Sequence, residues 1–144
     1  MEQALVQAKS AAERGEVPVG AVLVDSRSKE VVAASGNRVI ELCDPTAHAE
    51  LLTIRAACQA LGTERIASCD LYVTLEPCAM CATAAAFARI RRIIYAATDH
   101  KNGAIDNGAR IFNQSTCHHR PEIISGISET AAKKLLREFF NAKR

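Results

Sequence analysis

The sequence predicts an α/β protein, a three-layer α/β/α sandwich built around a mixed sheet of about five strands. Strand-length apolar runs alternate with helix-period segments along the chain. "DLYVTLE" (70–76), a helical segment and "RRIIYAAT" (91–98) follow one another within some 29 residues. That is a βαβ unit, and it makes its two strands parallel. "VPVGAVLV" (17–24) and "EVVAAS" (30–35) are joined by the polar "DSRS", which suits an antiparallel hairpin. Both kinds of pairing in one sheet make it mixed.

The elements follow in order. Residues 2–14 read as an amphipathic helix with Leu5, Ala8 and Ala12 on one face, stopped at Gly15. The hairpin comes next. A helix over 46–61 is predicted by Ala47, Leu51, Ile54, Cys58 and Leu61, which recur at helical steps before Gly62. After the strand at 70–76, Pro77 opens a helix through about Arg89, proline being tolerated in the first turn. Residues 99–121 are polar and irregular, and "EIISGI" (122–127) is a weak strand. A helix over 129–143, with Leu135, Leu136, Phe139 and Phe140, closes the chain; one of the two phenylalanines is expected in the core and the other on the surface.

The totals narrow the class. A chain of 144 residues fits one domain spanning 1–144, and at this size roughly 70% of the unfolded surface is buried without help from disulfides. Hydrophobic residues make up 49% and charged residues 24%, as in ordinary globular proteins. No apolar run reaches membrane-span length, and the first residues lack a signal-peptide core, so a cytoplasmic location without membrane contact is expected. The six cysteines then read as reduced thiols, some buried and some available to a metal. A net charge of +2 does not by itself indicate a nucleic-acid partner.

Two short motifs carry chemistry. "DPTAHAE" (44–50) puts His48 and Glu50 at the start of a helix, on the two flanks of its apolar stripe. Taken alone, they read as a core histidine and a first-turn acid that complements the helix dipole. "PCAMC" (77–81) places Cys78 and Cys81 on one face of another helix start, where free N–H groups favour thiolates. Two thiolates and one imidazole make a three-ligand zinc site with an open position, the catalytic arrangement; structural zinc is normally closed by four protein ligands. Cys43, Cys69 and Cys117 remain candidates for a fourth ligand. A CxxC pair also fits a thioredoxin-like redox motif, but that leaves His48 and Glu50 unexplained.

The two motifs together match the known signature of zinc deaminases, a match of pattern rather than a derivation. Over nearly its whole length the chain resembles the bacterial tRNA-specific adenosine deaminases of the cytidine deaminase-like superfamily. The resemblance runs through "EVPVGAVLV", "GNR", "DPTAHAE", "LYVTLEPCAMCA", "HRPEI" and "LLREFF". It implies that His48, Cys78 and Cys81 bind one Zn²⁺ per chain and that Glu50 is the proton shuttle. It also implies that the N–H of Ala49 and the amide of Asn37 hold a flipped adenosine, that the substrate is the wobble adenosine of a tRNA anticodon stem-loop, and that the protein is a homodimer. The homodimer has a reason of its own, because "CAMCATAAAFARI" (78–90) is apolar on nearly every side.

Weaker features have two readings each. Asn37 in "SGNRV" also suits a plain turn. Asp99 follows a strand at the sheet edge where α/β proteins place ligands; it fits a ribose hydroxyl or a loop cap equally well. "CHH" (117–119) makes a poor second metal site, since adjacent residues seldom converge on one ion. Arg89, Arg91 and Arg92 form one basic cluster, and Lys133, Lys134, Arg137, Lys143 and Arg144 a second that suits phosphates. The rival functions are a deaminase of free guanine, cytosine or cytidine on the same fold, and a noncatalytic zinc-stabilised RNA-binding module. Glu50 counts against the module, because a structural site has no use for a carboxylate outside the ligand set.

Overall fold

The computed structural model describes residues 1–144. Its elements are α1 (Glu2–Glu13), β1 (Gly20–Asp25), β2 (Val31–Gly36), α2 (Ala49–Leu61), β3 (Cys69–Leu75), α3 (Ala79–Phe87), β4 (Arg92–Ala97), a 3₁₀ turn (Ile111–Asn113), β5 (Glu122–Ser125) and α4 (Glu129–Ala142). The sheet runs β2-β1-β3-β4-β5. β1 is antiparallel to both of its neighbours, while β3, β4 and β5 are mutually parallel. Helices α1 and α4 pack on one face, α2 and α3 on the other. This is the expected three-layer fold with a mixed, five-stranded sheet. No helix is long and apolar enough to cross a membrane.

Several boundaries differ from the sequence reading, each for a local reason. The first strand starts at Gly20 rather than at residue 17. Pro18, with no N–H to give a ladder, stands just before it. Helix α1 buries Ala4, Ala8 and Ala11, not Leu5 and Ala12. The sheet demands small residues there, because a Cβ at Gly20 would run into the backbone of Ala4 and Ala8. Helix α2 begins at Ala49, three residues later than expected. Asp44 Oδ1 accepts from both the N–H (2.8 Å) and the hydroxyl (2.7 Å) of Thr46, and this turn holds the backbone out of the helix until His48. Helix α3 likewise begins at Ala79, leaving Pro77 outside and Cys78 as the N-cap.

The main core is a cluster of 19 buried residues between one face of the sheet and α2 and α3, with Leu23, Leu71, Ile93 and Tyr95 among its enclosed members; a smaller cluster of Ala96, Ala97 and Ala132 lies against α4. β3 and β4 supply the centre of the main core, and their C-terminal ends point the same way. At such an edge an α/β sheet offers a crevice for ligands. In this fold the starts of α2 and α3 also arrive there.

Candidate active site

His48 and Cys78 are the N-caps of α2 and α3, each on extended backbone, and Cys81 lies one turn into α3. The two helices start side by side. Nδ1 of His48 therefore stands 3.6 Å from Sγ of Cys78 and 3.6 Å from Sγ of Cys81. Tetrahedral zinc, with bonds of roughly 2.0–2.1 Å to nitrogen and 2.3 Å to sulfur, separates such ligand atoms by about 3.6 Å. The three donor atoms lie at coordination spacing, and they form the one group of this kind in the fold. None of the other cysteines joins them. The Cys43 thiol is turned toward Ile40 O, Cys69 opens β3, and Cys117 donates to His119 O. His119 is itself bonded to Ile90 O at 2.7 Å, so "CHH" makes no second metal site.

Glu50 completes the centre. Only 3% of it is exposed, and its Oε2 has no hydrogen-bond partner. A buried carboxylate oxygen without a partner is costly unless a bound group satisfies it. Burial pushes the Glu50 carboxyl up to about 7, with the negative Cys78 adding to the effect, while its own backbone N–H and His48 pull the other way. The hydrogen bond from Cys81 and the nearby imidazole draw the Cys78 thiol down to about 4. The Cys81 thiol is driven far up, by its bond to Cys78 and by burial. His48 is raised by its hydrogen bond to Cys78. Without a cation the two sulfurs share one proton; a divalent ion is what allows both to be thiolates at once. The spacing, the unpartnered oxygen and the donor chemistry all fit zinc.

The centre opens into a cleft of about 1160 Å³, larger than the roughly 300–1,000 Å³ of most small-molecule pockets. Residues 37–40 form one wall and 98–102 another, and the end of α4 closes the rim with Leu136, Phe140, Lys143 and Arg144. Asn37 is 8% exposed, and its Oδ1 accepts the Ala49 N–H at 2.8 Å. That bond fixes the amide: oxygen toward the helix, Nδ2 away from it. The Ala49 N–H is thus already engaged. Asp99 lines the cleft and also caps its own loop, Oδ1 accepting from Lys101 N (2.9 Å) and Asn102 N (3.1 Å).

The sequence reading missed two buried acids on the cleft, Glu16 and Glu76, each 2% exposed. Glu16 Oε1 accepts from Ile40 N and Glu41 N, both at 2.9 Å. Glu76 accepts five N–H bonds from residues 99–107. The one available signal was position: Glu76 is wedged between a strand and a proline, where a charge has no helix or turn to serve. The basic clusters also change. Arg91 pairs with Asp70, Arg92 with Glu122, Lys133 with Glu129 and Lys134 with Glu138. Lys143 and Arg144 are the cations of the second cluster that line the cleft. Phe140 is 48% exposed and lines the cleft, whereas Phe139 is half-buried under Lys143, whose Nζ stands 4.4 Å from the ring centroid.

Residues 1–97 match the cytidine and deoxycytidylate deaminase zinc-binding region. The chain belongs to that zinc-binding deaminase family. Among its relatives within the family, the tRNA-specific adenosine deaminase of Agrobacterium fabrum (strain C58) is 59% identical over all of this chain and 93% of its own length. That of Bacillus subtilis (strain 168) is 40% identical over all of this chain and 88% of its own. A solved structure from studies of A-to-I editing by tRNA:A34 deaminases at the wobble position of transfer RNA superposes with a TM-score of 0.92. It is 58% identical, over 94% of this chain and 97% of that one. A guanine deaminase from Bacillus subtilis has the same deaminase fold with a TM-score of 0.65 at 30% identity, over 97% of this chain and 90% of that one.

His48→Ala removes one of the three clustered donor atoms and leaves two sulfurs to hold a cation by themselves. Zinc content should fall well below one per chain and the thermal midpoint should drop with it. Retention of full zinc by the variant, measured by elemental analysis after dialysis, would show that His48 is not a ligand.

Proposed function

We propose that this chain hydrolyses adenosine to inosine, with release of ammonia, at the wobble position of a tRNA anticodon stem-loop. The observation that carries the reaction is Glu50, an enclosed carboxyl with a free oxygen beside a three-donor metal set. The similarity to tRNA-specific adenosine deaminases supports the substrate. The guanine deaminase is a more distant likeness, and a cleft of about 1160 Å³ with Lys143 and Arg144 at its rim is more than a free base needs. An anticodon-loop adenosine is already unpaired, so presenting it costs little. We further assign 1–144 to one catalytic domain acting in the cytoplasm.

In this reading His48, Cys78 and Cys81 hold one zinc per chain. Zinc bound there supplies Lewis acidity, lowering the pKa of water from 15.7 toward about 7. Glu50 does the proton work. It accepts one proton from water and delivers it to N1 of adenine, then takes the second proton from the oxygen now bonded to C6 and passes it to the amine, which departs as ammonia. Enclosure keeps bulk water from shorting these transfers. Asn37 orients the base through Nδ2, and Ala49 acts by holding the Asn37 amide in register. Asp99 has its second oxygen available for a ribose hydroxyl.

We also propose a homodimer. Ala79, Thr83 and Phe87 lie along one line of α3, and Phe87 is 77% exposed. An apolar helix face of this kind is normally covered, and a second copy covers it most simply. Sedimentation at micromolar concentration should give twice 15.5 kDa, and Phe87→Glu should shift the protein to monomer. A wild-type monomer under those conditions would reject the assembly.

The substrate assignment is tested by incubating the zinc-loaded protein with a stem-loop bearing a wobble adenosine and, separately, with free adenosine, adenine, guanine, cytosine and cytidine. Inosine should form in the stem-loop alone. Binding should weaken steeply between about 50 and 200 mM salt, as expected when several phosphates are contacted. Lys143→Ala/Arg144→Ala should weaken binding further without loss of zinc. Comparable turnover of a free base would point to the rival reaction.

Glu50→Gln keeps size and removes proton transfer. Zinc should stay at one per chain and stem-loop affinity should hold. Since positioned acid–base groups contribute about 10²–10⁴ in rate and this one serves several transfers, deamination should fall at or beyond the top of that range. Near-normal turnover would exclude Glu50 as the shuttle.

A further inference from the structure

We propose that Glu76 is a positioning residue for substrate recognition, fixing the 98–102 wall of the cleft in the shape that admits the nucleotide; this rests on the RNA reading above. Glu76 lies between the end of β3 and Pro77, two residues before Cys78, and is 2% exposed. Its Oε1 accepts from the N–H groups of Ile105 (3.1 Å), Asp106 (2.9 Å) and Asn107 (3.1 Å). Its Oε2 accepts from Asp99 N (3.0 Å) and Asn107 Nδ2 (2.8 Å). The five bonds grip both ends of one loop. Between the grips lie His100, Lys101 and Asn102, which line the cleft; their other ties stay within the loop, Lys101 N and Asn102 N to Asp99 Oδ1 and His100 Nδ1 at 3.3 Å from Asn107 Oδ1.

Five donors exhaust the roughly four lone-pair sites of a carboxylate. Glu76 therefore has no capacity left for a substrate atom, and it acts through the loop. The contact is tight. At Gly103 a Cβ would come within 2.5 Å of Glu76 Cδ and Oε2, so only glycine lets the loop close over the acid. The same residue pairs with Cys78 in an isolated bridge, and Ala104 N donates to Pro77 O at 2.9 Å. The wall that meets substrate and the strand end that carries a metal donor are thereby one body. Proximity alone would let the wall drift. A misplacement of about 1 Å can cost on the order of 10²-fold in such sites.

Glutamine cannot replace this acid. Whichever way its amide turns, the NH₂ faces N–H donors and repels what the carboxylate held. In the zinc-loaded Glu76→Gln protein, hydrogen–deuterium exchange over residues 99–107 should speed up at least about tenfold, the equivalent of losing one or two hydrogen bonds. KM for the anticodon stem-loop should rise about tenfold, with kcat within about threefold and zinc at one per chain. Asn107→Ala removes one of the five bonds, together with the contact between His100 and Asn107 Oδ1, from a half-buried site and should fold normally. It should show the same pattern in weaker form, which keeps the idea testable if Glu76→Gln folds poorly. A purely structural role predicts something else: a smaller active fraction, seen as lower apparent kcat at unchanged KM. That result, unchanged exchange across 99–107, or loss of zinc from both variants would overturn the proposal. If the unmodified protein fails to convert the stem-loop, the substrate reading has failed, and the exchange measurement alone decides whether Glu76 fixes the wall.

Discussion

Two helices must begin at the same point, and most of the structure follows from that constraint. His48 and Cys78 are N-caps: their carbonyls accept the first helical bonds from Leu52 and Ala82, while their side chains make no capping bond and remain available to a metal. To bring two N-caps within 3.6 Å between donor atoms, β3 must end beside the start of α2. The antiparallel step from β1 to β3 and the parallel step from β3 to β4 achieve this, placing α2 and α3 on the same face with their starts at the same sheet edge. The positive ends of both helix dipoles then face a site that holds thiols and attracts negative charge. Geometry and electrostatics are set by the same fold decision.

Glu50 shows what the arrangement costs. Its carboxyl is enclosed, and one oxygen has no partner in the protein. A carboxyl in such a place resists ionisation, which would be a defect in a core residue. In the proposed reaction that enclosure is put to use, because an unpartnered carboxyl oxygen shielded from bulk water can take up and release a proton. The three donors have the matching problem. Cys78 is easily ionised and Cys81 resists, so without a cation the pair holds one proton between two sulfurs. The unmet demands of the acid and of the thiols point to the same missing charge.

The frame and the metal set were legible in the sequence because each rests on local pattern. Hydrophobic period marks the strands and helices, and spacing marks Cys78 and Cys81. Where the reading slipped, a tertiary contact overrode a local signal. The expected Leu5 stripe of α1 yields to Ala4, Ala8 and Ala11 because Gly20 brings sheet and helix backbones close. The helix at 46–61 loses its first residues to the Asp44–Thr46 turn, which makes His48 a cap rather than a helical residue. The second basic cluster reads as phosphate surface until Lys133 and Lys134 pair with Glu129 and Glu138; in the first, Asp70 is distant in sequence from Arg91 and takes its charge. Asp99 could not be resolved from sequence either, because it both caps its loop and faces the cleft.

The acids that organise the cleft were the least legible part, for a physical reason. A carboxylate that accepts backbone N–H groups from a distant loop leaves no periodic or spaced trace. Glu16 holds the 40–41 turn across some 24 residues, and Glu76 holds 99–107 from up to 31 residues away. Loops are ordinarily the mobile part of a site. Tying each to a buried acid gives a rigid wall while the exposed side chains remain free to differ. Such a design separates two tasks. In the proposed reading, the donor set and Glu50, carried by helix starts, serve the chemistry, and the walls held by Glu16 and Glu76 serve selection. A tRNA:A34 deaminase and a guanine deaminase share this fold, so one frame can serve different substrates.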